Sequence, residues 1–356
     1  MRWSESLLIA RVSAVLAGVA ACSDWSFAPP PVALLSCPAV SVPVATAHTR
    51  VYYLAAEDVN WDYAPLGTDP VFDRPLQRPW GRQTVYRKQR YIQYTDNTFS
   101  TTVPQPAWQG ILGPTIRAAV GDTIKVVFCN RTETPLSVHP HGVRYDEADE
   151  GAVYEPARGG GDSVPGGAAY TYTWRAVPES GPLPGEPSSK VWLYHSHVVP
   201  DEEVYRGLIG TIVITDSTHA RADGGPNDVD REFTTLWMVF NESTPGMTDD
   251  EVEASLKHSI NGYFFGNLPG LTMNQGDRVR WYIVSLGTEV DWHTPHWHGE
   301  TLTLEGKDYT DVIEVGPAAM KVGDMVADNP GTWLLHCHVA DHMMAGMYTT
   351  YTVVGP

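Results

Sequence analysis

One structural unit is written twice in this chain, and that repetition limits the folds open to it more than any other feature. The segment from Gly113 to Val126, which turns on Val120-Gly121-Asp122, is answered by Gly270 to Trp281, which turns on Gln275-Gly276-Asp277. Later, Trp192-Leu193-Tyr194-His195-Ser196-His197 is answered by Trp333-Leu334-Leu335-His336-Cys337-His338. Two duplicated domains follow. Alternating apolar runs such as Thr123 to Phe128, Leu208 to Ile214, Arg278 to Val284 and Tyr348 to Val354 read as strands bounded by turn residues. With 32 Gly and 28 Pro in 356 residues, short strands and structured loops fit better than long helices. The expected class is all-β.

The polar, glycine-containing stretch around residues 218–230 reads as the linker between a first domain at 49–217 and a second at 231–356. Ahead of them, Arg2 and the apolar run Ser13 to Ala21 read as a signal peptide over residues 1–22, too short to span a membrane. Val19-Ala20-Ala21-Cys22 also resembles the lipobox of bacterial lipoproteins, which would make Cys22 a lipid anchor; an ordinary signal cleaved nearby is the alternative. Residues 23–48, rich in Pro, Ala and Ser, read as a tether. Export is expected, to a periplasmic or extracellular destination. Of the four cysteines, Cys22 belongs to the signal and Cys337 sits between two histidines, which leaves Cys37 and Cys129 as a candidate disulfide in an oxidising compartment. A net charge of -18 argues against a nucleic-acid partner.

Four histidine clusters carry the chemistry: His139-Pro140-His141, His195-Ser196-His197, His293-Thr294-Pro295-His296-Trp297-His298, and His336-Cys337-His338 followed by His342 and Met347. In a strand, residues two apart share a face, so each His-x-His offers two imidazoles to one site while its central residue points the other way. Cys337 should therefore face opposite to His336 and His338, and one strand can serve two metal sites. Two imidazoles, a thiolate and a weak thioether make a blue-copper site, and His293, Cys337, His342 and Met347 supply that set. The other eight, His139, His141, His195, His197, His296, His298, His336 and His338, suit two coppers with three ligands each and one with two. The first domain has Ser196, Leu136 and Asp201 where the second has Cys337, His293 and His342, so only the second should be blue.

These clusters resemble the copper motifs of multicopper oxidases, and more closely those of the ceruloplasmin and hephaestin group. The likeness extends to Tyr52-Tyr53-Leu54-Ala55-Ala56-Glu57-Asp58 through Pro65, to His258-Ser259-Ile260-Asn261-Gly262, and to Leu271-Thr272-Met273. It implies two cupredoxin-like Greek-key β-barrel domains and four coppers per chain. In that arrangement His293, Cys337, His342 and Met347 hold type 1 copper, and His139 with His296 hold type 2. One type 3 copper falls to His141, His195 and His338, and the other to His197, His298 and His336. Cys337, with its neighbours His336 and His338, would relay electrons. The resemblance further implies a homotrimer, each cluster lying between domain one of one subunit and domain two of the next.

Substrates implied are O2 and a reductant. Glu253, His258 and Asp341 match part of an iron-holding acidic cluster, which suits Fe(II) or another metal ion; a laccase-like phenol oxidase is the alternative. A non-catalytic copper-binding protein is a third reading, and a copper nitrite reductase is opposed by the eight histidines and Ser196. The carboxylates Asp146, Glu147, Asp149 and Glu150 read as solvated charge, not a calcium site.

Overall fold

A computed structural model of the chain describes residues 33–38 and 48–356. The signal, Cys22 and most of the tether lie outside the described residues. Among the described residues, apart from three short helices and single 3-10 turns, the regular elements are strands. No helix among the described residues is long and apolar enough to cross a membrane.

The repeat reappears as the same strand plan drawn twice. In the first half, Thr49–Asp62 runs antiparallel to Val85–Tyr94 and parallel to Thr123–Asn130, which pairs with Ala169–Arg175. A second sheet runs Ile116–Ala119, Ile209–Thr215, Ser189–His195, His139–Pro140. In the second half, Arg231–Asn241 takes the place of Thr49–Asp62, between Leu256–Ile260 and Arg278–Ser285, with Met320–Val326 beyond. Its other sheet runs Thr272–Asn274, Tyr348–Val354, Gly331–Cys337, Pro295–Trp297. The strands of the first set end at Thr215 and those of the second begin at Arg231.

Each half closes on its own core. Trp174, Tyr172, Phe128 and Ile212 fill the first, and Trp237, Trp281, Trp297 and Leu335 the second. A third core belongs to both halves. In Arg231–Asn241, Trp237 and Val239 point into the second domain's own core, while Leu236, Met238 and Phe240 pack with Val191, Leu193, Ile209 and Val213 of the first. Period-two alternation thus makes one strand serve two cores, and both faces are dry.

Polar ties cross the same seam. Arg280, fully buried, donates to Ser188 and Ser189 hydroxyls at 2.7 and 2.8 Å and pairs with Asp324. Lys88, also buried, is paired with Glu242, which accepts a 2.5 Å hydrogen bond from Tyr63. Gly110 turns at φ 57° directly under the Asn261 carbonyl, where a Cβ would lie 2.1 Å from the oxygen. Cys37 and Cys129 form a disulfide that ties residues 33–38 to the strand Thr123–Asn130.

Candidate metal centre

The strand Gly331–Cys337 alternates Leu335 and Cys337 inward against Leu334 and His336 outward. Cys337 is therefore buried in the second core, and there it meets His293 and His342. Its Sγ lies 4.0 Å from His293 Nδ1 and 3.7 Å from His342 Nδ1, and the two Nδ1 atoms are 3.1 Å apart. The backbone of Thr294 donates to the sulfur at 3.4 Å. His342 is delivered by the short helix Ala340–Met344, and Met347 is fully buried in the same core, its carbonyl accepting from Cys337 N. Burial pushes the Cys337 thiol up and the His342 imidazole down. A thiolate in this pocket needs a cation beside it, and the imidazole nitrogens of His293 and His342 are placed to offer it lone pairs.

Outside the core, the remaining eight histidines form two sets of four. In the first domain His139 pairs in register with His195, and in the second His296 pairs with His336. Within each set two imidazoles face each other: His141 Nε2 and His195 Nε2 at 3.1 Å, and His298 Nε2 and His336 Nε2 at 3.1 Å. Nδ1 of His195, His336 and His139 faces a backbone carbonyl, of Ser196, Cys337 and Glu150, at 2.8–2.9 Å. Donation there leaves each Nε2 free to bind a metal. Burial lowers His195 to about 3 and His141 and His336 to about 4, which keeps them neutral. Among the described residues, histidine–histidine ring contacts in each set stay within that set, and His139 also meets the ring of Tyr145. His338 is exposed, and His139, His141, His197, His296 and His298 are only half-buried.

In the first domain the place of the thiolate site is filled. Ser196 accepts from Ser137 N at 3.0 Å, Ser137 Oγ accepts from His197 N at 2.9 Å, and Leu136 is buried in the apolar core. Hydroxyls and a leucine thus stand where the second repeat has its cysteine and histidine.

The three substrate-metal candidates are not drawn into one donor cluster. His258 is buried with its ring 5.1 Å from that of His342, while Glu253 and Asp341 are exposed. Trp80, which the sequence reading missed, links two of them: its Nε1 donates to Glu253 at 3.0 Å and its ring stands edge-on to His258. The acidic run before Glu253 opens the helix Asp249–Ser255, where Thr248 and Glu251 form a capping box. Carboxylates there complement the helix N-terminus. A second missed residue is Asp291, buried beside His293.

Residues 92–219 and 241–355 each match the multicopper oxidase family. The chain belongs to that family. This multicopper oxidase is 38% identical to human hephaestin over 347 residues, 85% of its own length but 28% of hephaestin's. It is 34% identical over 341 residues to mouse ferroxidase HEPHL1, covering 86% of this chain and 29% of that one. The chain therefore spans less than a third of the curated relatives it matches. A solved multicopper oxidase superposes with a TM-score of 0.61 at 20% identity, covering 90% of this chain and 95% of the other, which establishes the cupredoxin-like fold. Copper is the metal the family implies, and the thiolate, imidazole and thioether donors fit it.

Proposed function

We propose that the chain couples one-electron oxidation of Fe(II) to the four-electron reduction of O2 to water. The observation that carries this reading is the two-sided strand Gly331–Cys337, which gives Cys337 to an inner site and His336 to an outer one. Type 1 copper would be held by His293, Cys337, His342 and Met347, and type 2 by His139 and His296. The facing pairs His141/His195 and His298/His336 would each hold a type 3 copper, completed by His338 and His197 from across an interface. Four coppers per chain follow. Bound copper supplies one-electron storage and dioxygen reduction; four Fe(II) ions, four protons and one O2 give four Fe(III) ions and two waters.

What the chain itself contributes is position. Cys337 is bonded through the backbone to His336 and His338, so a continuous covalent path joins the two sites. In each domain one of the four imidazoles is buried and three are half-buried or exposed, and among the described residues the two sets make no ring contact with each other; this supports head-to-tail assembly into a closed ring, which we propose to be a homotrimer. The disulfide Cys37–Cys129 supports an oxidising, exported location. Fe(II) would bind on the His342 side, where His258 touches that ring and Trp80 holds Glu253. Asp341 adjoins the same histidine.

A laccase-like reading has its own support: Val290, Trp292 and Met344, next to the ligands in sequence, are 48%, 63% and 65% exposed and offer apolar surface to a phenol. The deciding experiment is O2 consumption by the copper-loaded chain with Fe(II) or a phenol, against the double variant Glu253→Ala and Asp341→Ala. Loss of Fe(II) turnover with phenol turnover kept supports the metal-oxidase reading. Unchanged Fe(II) turnover refutes the proposed entry site.

A further inference from the structure

Asp291 is the most deeply buried carboxylate near the thiolate site, with 0% exposure. Its only ion-pairing partner among the described residues is His293, at 3.2 Å between Oδ1 and Nε2. A carboxylate so enclosed, with no lysine or arginine beside it, is costly unless each oxygen is hydrogen-bonded. Both are. Oδ1 accepts from Val239 N at 2.7 Å, Oδ2 accepts from Thr288 N at 2.8 Å, and Asp291 N closes the turn by donating to Thr288 O at 2.9 Å.

The loop is shaped around this group. Gly287 sits at φ 131°, and a Cβ there would lie 2.0 Å from Asp291 Oδ2. On the other side, the His293 backbone is pinned to Val315 by two hydrogen bonds, His293 N to Val315 O at 2.8 Å and Val315 N to His293 O at 2.9 Å. The imidazole therefore has little freedom: Nε2 meets Asp291, and Nδ1 points at His342 Nδ1 and the Cys337 sulfur.

We infer that Asp291 is a positioning residue for the thiolate site: its carboxylate holds His293 as the Nε2–H tautomer, so that Nδ1 presents its lone pair to the metal. The inference rests on the reading of His293 as a copper ligand. An anionic partner on the far nitrogen also makes the imidazole a stronger donor and favours the more highly charged metal ion. Asp291 thus biases the site toward Cu(II) over Cu(I). It does so without touching metal or substrate.

The conservative variant is Asp291→Asn. Asparagine has the same shape but one acceptor oxygen, so it can serve Val239 N and His293 or Thr288 N, not all three, and it carries no charge. Two measurements on the full chain test the role. In the metal-free wild type, nitrogen-15 shifts of His293 should report a protonated Nε2 and a bare Nδ1, and Asp291→Asn should mix the two tautomers. In the copper-loaded protein, the ratio of Cu(II) to Cu(I) affinity should fall at least about tenfold in the variant, about 59 mV for a one-electron couple. A metal-free wild type protonated at Nδ1 overturns the inference without need of any variant. So does an affinity ratio within twofold of wild type. If the wild type itself binds copper without the intense thiolate absorption, the ligand reading and the inference fall together; if that absorption is present and Asp291→Asn changes nothing, only the role of Asp291 falls.

Discussion

The division of eight imidazoles between two domains can be tested by complementation. One variant, His141→Ala with His195→Ala, destroys the first-domain pair that meets at 3.1 Å; the other, His298→Ala with His336→Ala, destroys the second-domain pair. Each alone should lack every outer cluster while keeping the thiolate site, whose blue absorption then certifies folding. Co-expressed in equal amounts, they should recover activity. In a head-to-tail ring each junction joins the first domain of one subunit to the second domain of its neighbour, so an intact half meets an intact half at about one junction in four, whatever the ring size. The expected O2 consumption is about a quarter of wild type. Two different affinity tags on the variants, purified in series, confirm mixed assembly. Mixed rings with no more activity than either parent would refute the intersubunit cluster, because a cluster built within one chain cannot be repaired in trans.

Burial lowers Lys257 from its ordinary value near 10.5 to about 8. Between those values the unfolded chain binds the extra proton, so wild-type stability should climb with pH relative to Lys257→Met, by up to about 1.4 kcal/mol per unit. Urea unfolding of both proteins at pH 8, 9 and 10 checks the sign, and parallel curves would contradict it. The disulfide closes a sequence separation of 92 residues, so Cys37→Ser with Cys129→Ala should cost about 2–4 kcal/mol in the same assay, most of it from unfolded-chain entropy. Trp80→Phe removes the N–H that holds Glu253 and should raise the KM for Fe(II) about two- to fivefold with the phenol KM unchanged.

Much of the fold, and the grouping of the candidate ligands, was legible because strand geometry is local. His-x-His at a strand end fixes which side chains share a face, and so the sequence alone shows that Cys337 faces away from His336 and His338. Equally local was the absence of a cysteine from the first repeat, visible at Ser196. What sequence could not supply was distant company. Asp291 matters through Val239 and through room left by Gly287, and Trp80 reaches Glu253 across 173 positions. The strand Arg231–Asn241 was not among the runs read from sequence; Leu236 to Phe240 is buried on both faces, and nothing in it names the first domain as the second partner. Glu253, His258 and Asp341 were grouped by likeness, whereas the chain uses the acidic run before Glu253 to start a helix.

That doubly buried strand bears on how such a chain can be cut and spliced. Leu236, Met238 and Phe240 would all become wet if the two halves were separated, as would Leu193 and Val213 opposite. Neither half is a detachable module, although each repeats the same plan. Recombination that moves a single half would release an aggregation-prone surface; recombination in pairs would not. A library of shuffled chains should yield soluble products only where both halves travel together.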